Sequence, residues 1–227
     1  MNASPHSETG EACCDTAAPP AKTRDHRTGH QIRIGVMGSA GGELSAESLA
    51  LCRRLGGEIA RRGCCLLTGA CPGLPHEAVL GAKENGGHVV GISPGMNLRE
   101  HVEMFDSPYE QYDVLIYTGL GLMGRELVNI YSSDVVVIVG GRSGTLGEFS
   151  IAYESGKLIG VLTGTGGVAE GLQALEASLG KATGAQVVYG GDPEALVEQL
   201  LDRHRSGRYV CPCLPENLLR EGEKGGG

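Results

Sequence analysis

The sequence lacks tryptophan, and only 4% of its 227 residues are aromatic. It also lacks any apolar run near the roughly 18–20 residues that a membrane-spanning helix requires, so no membrane association is predicted. The first thirty residues are polar and lack the apolar core of a secretory signal, which makes the cytoplasm the expected location. The chain is instead rich in glycine, with 38 residues, which suits many tight turns between strands and helices.

An excess of positive charge is absent as well, since the formal net charge at pH 7 is −8. Broad electrostatic attraction to nucleic acid or to an anionic membrane is therefore not expected. A local anion site remains compatible with this charge, because backbone amides can bind an anion without a basic side chain.

The eight cysteines form neither a disulfide framework nor a zinc pattern. Zinc sites use Cys-x2-Cys-type pairs or histidine partners, which are missing, and no metal site is predicted. Cys64 and Cys65 are predicted to be small apolar residues of a buried strand. Cys71 falls in a candidate site loop, where a reactive thiol is the less favoured alternative. Cys211 and Cys213 could bind a metal or take part in redox chemistry. The favoured interpretation is an exposed tail in which they have no such role.

Two common nucleotide-binding motifs are missing. The glycines at positions 35, 38 and 41 have the wrong spacing for the dinucleotide fingerprint, and no acidic residue ends the second predicted strand to hold a ribose. A Gly-x4-Gly-Lys-Ser/Thr loop is also absent. A standard NAD-dependent enzyme and a P-loop nucleotidase are both disfavoured.

Strands and helices alternate along the chain. Most of the seven predicted strands, from 31–37 to 186–189, are continuous apolar runs, and the segments between them are predicted to be helical, apart from an irregular connection over 93–111. This pattern predicts an α/β fold, a doubly wound, Rossmann-like parallel sheet in a single domain. The domain is expected to span 31–204, after a disordered segment 1–30 and before a tail 205–227.

Glycine-rich turns follow several of the predicted strands. In doubly wound folds, ligands bind outside the carboxyl ends of the strands, where the chain order reverses. Four turns are therefore expected to converge on one rim: Gly38-Ser39, Gly69–Gly73, Gly119–Gly124 and Gly140–Gly144.

The most informative of these turns follows the apolar run Val135–Val139. Gly140-Gly-Arg-Ser-Gly-Thr145 leads from this run into a predicted helix. Such a turn directs unpaired backbone N–H groups at one point, with the positive end of the helix dipole behind them, so it is predicted to bind a phosphate. The predicted binding residues are Gly38, Ser39, Gly69, Gly73, Gly140, Gly141, Arg142, Ser143, Gly144 and Thr145.

Several charged residues near this turn allow two roles each. Arg142 either clamps an anion or projects into solvent. Arg125, at the start of a helix where a cation does not suit the dipole, either faces a ligand or lies on the surface. Glu148, placed in the first turn of the next helix, either caps that helix or faces the pocket beside a bound sugar. Glu126 and His76 are further polar candidates.

These residues resemble the LOG family, long mislabelled as lysine decarboxylases, and its Rossmann-like relatives, which include the molybdenum cofactor carrier proteins. The family signature is Pro-Gly-Gly-x-Gly-Thr-x-x-Glu, preceded by Met-His-x-Arg-Lys. Gly144-Thr-Leu-Gly-Glu148 matches the second half of this signature, and Arg125 matches the family arginine in its separation from Glu148. The resemblance covers about residues 32–179.

The chain departs from the LOG signature at three places. Arg142 replaces a glycine of the turn, Leu122-Met-Gly-Arg-Glu126 lacks the family's histidine and lysine, and Ala70 stands where relatives usually carry glycine. These changes disfavour cytokinin nucleotides as substrates. They bring the chain nearer to the Gly-Gly-x-x-Gly-Thr branch, which includes the carrier proteins.

The resemblance implies that Arg125 and Glu148 form a catalytic pair, which cleaves the N-glycosidic bond of a nucleoside 5′-monophosphate to give free base and ribose 5-phosphate. Glu148 would stabilise an oxocarbenium-like sugar or activate water, and no metal or other cofactor is required. The alternative is a non-catalytic carrier or sensor for a phosphorylated pterin of the molybdopterin type, or for a nucleotide. The resemblance also implies a homodimer. Lysine decarboxylation is rejected, because no lysine is marked for a Schiff base.

Overall fold

Seven parallel strands form one sheet in the computed structural model, which describes residues 20–210 and residue 212. The strand order is β4-β3-β2-β1-β5-β6-β7, so the chain order reverses between β1 and β5. The strands are β1 (Arg33–Gly38), β2 (Cys65–Thr68), β3 (His88–Ser93), β4 (Val114–Tyr117), β5 (Val135–Val139), β6 (Leu158–Leu162) and β7 (Gln186–Gly190). The predicted doubly wound, Rossmann-like fold is confirmed.

Over the described residues, seven α-helices and one 3-10 turn accompany these strands, and the last helix follows the last strand. The helices are α1 (Ala46–Arg61), α2 (Leu74–Glu84), α3 (Leu98–Glu103), α4 (Gly121–Ser132), α5 (Ser143–Glu154), α6 (Leu172–Leu179) and α7 (Pro193–Arg205). The 3-10 turn Gly167–Gly171 runs directly into α6. Side chains cap the N-termini of three of the described helices: Ser45 accepts a hydrogen bond from Ser48 N, Asn97 from Glu100 N, and Asp192 from Ala195 N.

Both faces of the sheet are covered by helices. The helices α1, α2 and α7 pack on one face, and α4, α5 and α6 pack on the other. The strand β5 is buried along its whole length and alternates between the two layers, with Val135, Val137 and Val139 in one core and Val136 and Ile138 in the other. This double burial explains why the strand reads as a continuous apolar run.

Residues 20–30 lie against the domain, although their composition predicts disorder. Thr23 N donates to Gly63 O at 2.8 Å, and Asp25 is buried between Arg27 and His204, a residue of α7. Burial alone would raise the pKa of Asp25. Hydrogen bonds from Arg27, together with the charges of Arg27 and His204, hold this pKa below its ordinary value. Gly63 and His204 are remote in sequence from this segment, so its composition does not reveal these contacts. Residues 1–19 lie outside the described residues.

The C-terminal segment after α7 also contacts the domain. Tyr209 is fully buried, and its hydroxyl donates to Gly156 O at 3.0 Å. The predicted tail 205–227 therefore contains at least one core residue, whereas the stretch beyond residue 212 lies outside the described residues.

The connection predicted to be irregular over 93–111 contains the six-residue helix α3. Asn97 caps this helix by accepting a hydrogen bond from Glu100 N at 3.0 Å. One and a half turns are too short to give a readable helical period, which is why the sequence pattern missed it.

The Gly56→Ala substitution is expected to destabilise the fold. A Cβ at Gly56 would lie 1.8 Å from the Ala78 carbonyl oxygen, where α1 packs on α2. Alanine has a helix propensity about 1 kcal/mol more favourable than that of glycine. The added methyl group would nevertheless clash with a backbone oxygen, which cannot move aside as a flexible side chain does. We therefore expect the free energy of unfolding to fall by about 1–3 kcal/mol. Urea denaturation measures this. The control is Gly171→Ala, where the added Cβ meets nothing within 4 Å, and equal stability of the two variants would contradict the prediction.

Candidate functional site

A cleft of about 290 Å³ lies at the carboxyl ends of β1, β2 and β5, beside the point where the chain order reverses. The turn after β1, the turn after β2, helix α4 and the N-terminus of α5 form its walls. Nine of the residues predicted from sequence line it: Gly38, Ser39, Gly69, Arg125, Arg142, Ser143, Gly144, Thr145 and Glu148.

Three predicted binding residues are not among those that line this cleft. Gly73 adopts φ +80° and lies against the backbone of the turn after β1, where a Cβ would approach Ser39 O to 2.2 Å. Gly140 donates its N–H to Thr165 Oγ1 at 2.8 Å, so this amide is already paired. Gly141 lines a neighbouring cavity, at φ +100°, and a Cβ there would lie 2.4 Å from Thr145 Cβ. These glycines shape the turns.

The N-terminus of α5 forms one wall of the cleft. The helix begins at Ser143, and Arg142 occupies its N-cap position without a side-chain cap. The first backbone bond of the helix joins Leu146 N to Arg142 O at 3.0 Å, so the amides of residues 143–145 precede the helical hydrogen-bond ladder. Free amides at the positive end of a twelve-residue helix favour an anion.

Arg125 is buried in the cleft, and two of its three guanidinium nitrogens lack a hydrogen-bond partner in the described chain. Its side chain comes from α4, and its residue is only 7% exposed. Neither Nε nor Nη1 has a hydrogen-bond partner among the described residues. The guanidinium lies directly over Gly69, since a Cβ on that glycine would be 1.3 Å from Nη1. A buried cation is costly unless an anion meets it, so the cleft is built to receive one.

Glu148 lies in the second turn of α5, not in the first as the sequence predicted. Because α5 begins at Ser143, Glu148 is the sixth residue of the helix, and helix capping does not account for it. Its side chain lines the cleft and is 7% exposed. Burial raises the pKa of Glu148 to about 7, with the charge of Arg125 opposing this shift and that of Glu126 adding to it.

Glu126 is a second buried carboxylate in the same cleft. Its Oε1 would lie 3.5 Å from a Cβ on Gly144, and its Oε2 3.4 Å from a Cβ on Gly147, so it faces the first turns of α5. It makes no hydrogen bond or ion pair within the described part of the chain. Burial raises its pKa, and the neighbouring Arg125 opposes this.

The model of the SLOG cluster4 family matches residues 31–197. The chain belongs to this SLOG family. An uncharacterised protein of Archaeoglobus fulgidus is 34% identical over 131 residues, which cover 58% of this chain and 80% of that relative. The resemblance to LOG proteins and to molybdenum cofactor carriers is confirmed.

Two solved structures share the fold of this SLOG chain over most of its length. The molybdenum cofactor carrier protein from Chlamydomonas reinhardtii is 34% identical, with a TM-score of 0.60 over 75% of this chain and 99% of that one. The molybdenum cofactor binding protein from Rippkaea orientalis is 31% identical, with a TM-score of 0.62 over 76% of this chain and 97% of that one.

Other polar candidates of the SLOG chain lie in different settings. Arg142 is exposed and lies at the rim, where it lines both the cleft and the neighbouring cavity. His76 on α2 is not among the residues that line the cleft, and burial lowers its pKa. Cys71 lines the cleft, and burial raises the pKa of its thiol while Arg125 opposes this.

Asn129 is a buried neighbour of Glu148, behind the cleft wall, that the sequence analysis missed. It is fully buried on α4, and its Nδ2 and Oδ1 have no hydrogen-bond partner in the described chain. It lies one helical turn after Arg125, and its proximity lowers the pKa of Glu148. The i, i+4 spacing from Arg125 was the signal that could have identified it.

Cys64 and Cys65 are buried in and beside β2, as predicted, and burial raises the pKa of their thiols to about 12 and about 11. Cys13, Cys14, Cys211 and Cys213 lie outside the described residues. Over residues 20–210 and 212, no helix has the length and apolar character needed to cross a bilayer.

Proposed function

We propose that this chain binds a nucleoside 5′-monophosphate in the cleft and hydrolyses its N-glycosidic bond. The observation that carries the proposal is the unpartnered, buried Arg125 in one cleft with the α5 N-terminus and the buried Glu148. The amides of Gly144 and Thr145 hold the phosphate, and Arg125 supplies the opposite charge. Gly38, Ser39 and Gly69 form the floor on which the ligand lies.

Glu148 performs the chemistry in this proposal. Water attacks the anomeric carbon, the bond to the base nitrogen breaks, and the base leaves with the bonding electron pair and takes up a proton. The ionised Glu148 carboxylate accepts a proton from the attacking water and stabilises positive charge on the sugar. Its pKa of about 7 matches this task at neutral pH, because a general base works best when its pKa lies near the working pH.

A non-catalytic carrier of a phosphorylated pterin is the second candidate. It is supported by similarity to proteins described as carrying or binding the molybdenum cofactor. Glu126, which stands where the LOG element has lysine, and Arg142, which stands where the LOG turn has glycine, set the cleft apart from that of LOG enzymes. The same amide cradle would hold the phosphate of the pterin.

Incubation of the protein with AMP, GMP, IMP, CMP and UMP tests the catalytic proposal. We expect free base and ribose 5-phosphate to be released from at least one of them, and chromatography detects both products. If no monophosphate is cleaved and a nucleotide or phosphorylated pterin binds equally well to the wild type and to Glu148→Gln, the carrier function replaces it. The cytoplasmic location and the lack of a nucleic-acid partner stay predictions.

A second copy of this chain is the partner we propose for the apolar surface beside the cleft. On α4, Leu122, Met123, Leu127 and Tyr131 are exposed, and β4 is an edge strand. The β4 residues Val114, Ile116 and Tyr117 are exposed too, and a bare apolar edge of this kind is normally covered. We propose that a homodimer buries this surface.

The Leu127→Glu substitution is expected to convert the dimer into a monomer. A glutamate carboxylate buried at the interface would lose its hydration without gaining a partner, and the apolar contact of Leu127 would be lost as well. Both changes weaken association of the two copies. Light scattering after size-exclusion chromatography measures the mass. Leu179→Glu on α6 is the matched control, because Leu179 is similarly exposed but outside the apolar surface. A monomeric wild type, or a dimeric Leu127→Glu, would contradict the proposed interface.

A further inference from the structure

A second cavity, of about 390 Å³, opens from the same cleft on the side away from the α5 N-terminus. The two cavities share Ala40, Gly69, Cys71, Leu122 and Arg125, so Arg125 lies at their junction. The Arg142 side of the cleft also adjoins a cavity, but glycines and serines dominate its walls, which gives a flat apolar ligand little to pack against.

The walls of the second cavity suit a planar heterocycle. They are largely apolar, with Pro72 and Pro94 from the loops after β2 and β3, and Met104 and Phe105 from the segment after α3. Apolar walls with a few fixed polar groups are the usual form of a small-molecule subsite. The polar residues here are Asp106 and Ser107, together with Arg125 at the junction with the cleft.

The segment that carries Phe105 and Asp106 is held rigidly. His101 is fully buried beneath it, with Nδ1 at 2.8 Å from Ser93 Oγ and Nε2 at 2.9 Å from Pro108 O. Ser107 N donates to His101 O, which fixes the loop to the helix. A backbone held in this way lowers the ordering cost of binding a ligand against this segment.

Asp106 adopts a left-handed conformation, with φ +45°. It is one of two non-glycine residues with positive φ among the described residues. Aspartate adopts this conformation more readily than most residues, and non-glycine residues with positive φ cluster at active sites and ligand clamps. Aspartate tolerates it, and the carboxylate offers two acceptor oxygens but no donor when ionised.

We infer that the second cavity is the subsite for the heterocycle of the bound phosphorylated ligand, and that Asp106 selects a heterocycle with a 2-amino-4-oxo edge. This inference rests on the proposed function. A ligand with its phosphate at the α5 N-terminus extends past Arg125, so its ring lies against Phe105. A carboxylate accepts two hydrogen bonds from the ring N–H and the exocyclic amine of that edge, whereas adenine offers a ring acceptor in the same place.

The 2-amino-4-oxo edge is shared by guanine nucleotides and by phosphorylated pterins. Calorimetric titrations with ribose 5-phosphate, AMP, GMP and 6-hydroxymethylpterin phosphate separate these sources. All proteins are titrated in the Glu148→Gln background, so that no ligand is consumed. We expect GMP or the pterin phosphate to bind about tenfold or more tightly than AMP, and ribose 5-phosphate to bind most weakly.

Two further variants test the walls of the second cavity. Asp106→Asn keeps a residue that tolerates positive φ, so it should fold normally, lose the preference for GMP or pterin phosphate over AMP, and bind ribose 5-phosphate unchanged. Phe105→Ala should weaken binding of every heterocycle but not of ribose 5-phosphate. Equal affinity for ribose 5-phosphate and for AMP, GMP and 6-hydroxymethylpterin phosphate would overturn the heterocycle subsite and leave the phosphate cradle intact. Failure of every ligand to bind would overturn the proposed function itself.

Discussion

Arg125→Ala is expected to bind nucleoside monophosphates about 10- to 100-fold more weakly than the wild type, because a charge-assisted hydrogen bond to a buried cation contributes about 1.5–3 kcal/mol. The same substitution should not destabilise the ligand-free protein. The guanidinium is buried and its Nε and Nη1 have no hydrogen-bond partner in the described chain, so its removal relieves a desolvation cost that offsets the lost attraction to Glu148 and Glu126. Calorimetry measures the affinity, and thermal unfolding without ligand measures the stability.

This combination separates a ligand-binding arginine from a structural one. A structural arginine would stabilise the fold through its partners, so its loss would lower the midpoint of thermal unfolding. Arg205→Ala, an exposed substitution that does not line the cleft, is the control and should leave affinity and stability unchanged. Unchanged affinity in Arg125→Ala, or a clear loss of stability, would contradict the role given to Arg125.

Glu148→Gln is expected to lower kcat for base release by about 10²- to 10⁴-fold while it changes the affinity for the nucleotide little, because the variant loses the general base but keeps the phosphate cradle. In the wild type the rate should rise with pH through about 7, since the ionised form acts. Glu126→Gln should move this rise to lower pH, because the charge of Glu126 contributes to the raised pKa of Glu148.

Stability provides an independent test of the environment of Glu148. The folded-state pKa of about 7 lies above the ordinary glutamate value of 4.5, so the folded state binds more protons between these two pH values. The contribution of this group to stability is therefore fully present below pH 4.5 and is lost as the pH rises through 7. Its size is on the order of 3 kcal/mol. Glu148→Gln should remove this part of the pH dependence, and an identical pH profile of unfolding in both proteins would argue against a buried, protonated Glu148.

Local features explain how much of the cleft the sequence could predict. The turn from Gly140 to Thr145 is a strand end joined to a helix start, and its glycines and spacing are visible in a short window. The same holds for Glu148, whose identity as a site residue was predicted although its place in the helix was not. Arg125 needed the LOG signature, because its place at a helix start left a ligand-facing role and a surface position equally open.

Long-range contacts explain what the sequence could not predict. Gly140 looked like an anion ligand, but its amide is paired with Thr165, which lies 25 residues later. The segment after β3 looked irregular, although the contacts of His101 with Ser93 and Pro108 hold it in one form. Likewise, Asp25 contacts His204, which lies near the opposite end of the described sequence. Each of these depends on a partner that no local pattern identifies.

A structure of the Glu148→Gln protein soaked with GMP tests the central claim most directly. The account predicts a phosphate within hydrogen-bonding distance of the amides of Gly144 and Thr145 and of the Arg125 guanidinium, with the glycosidic bond beside residue 148 and the base against Phe105. A phosphate bound at another place, with the amides at the start of α5 and Arg125 still free, would contradict the account.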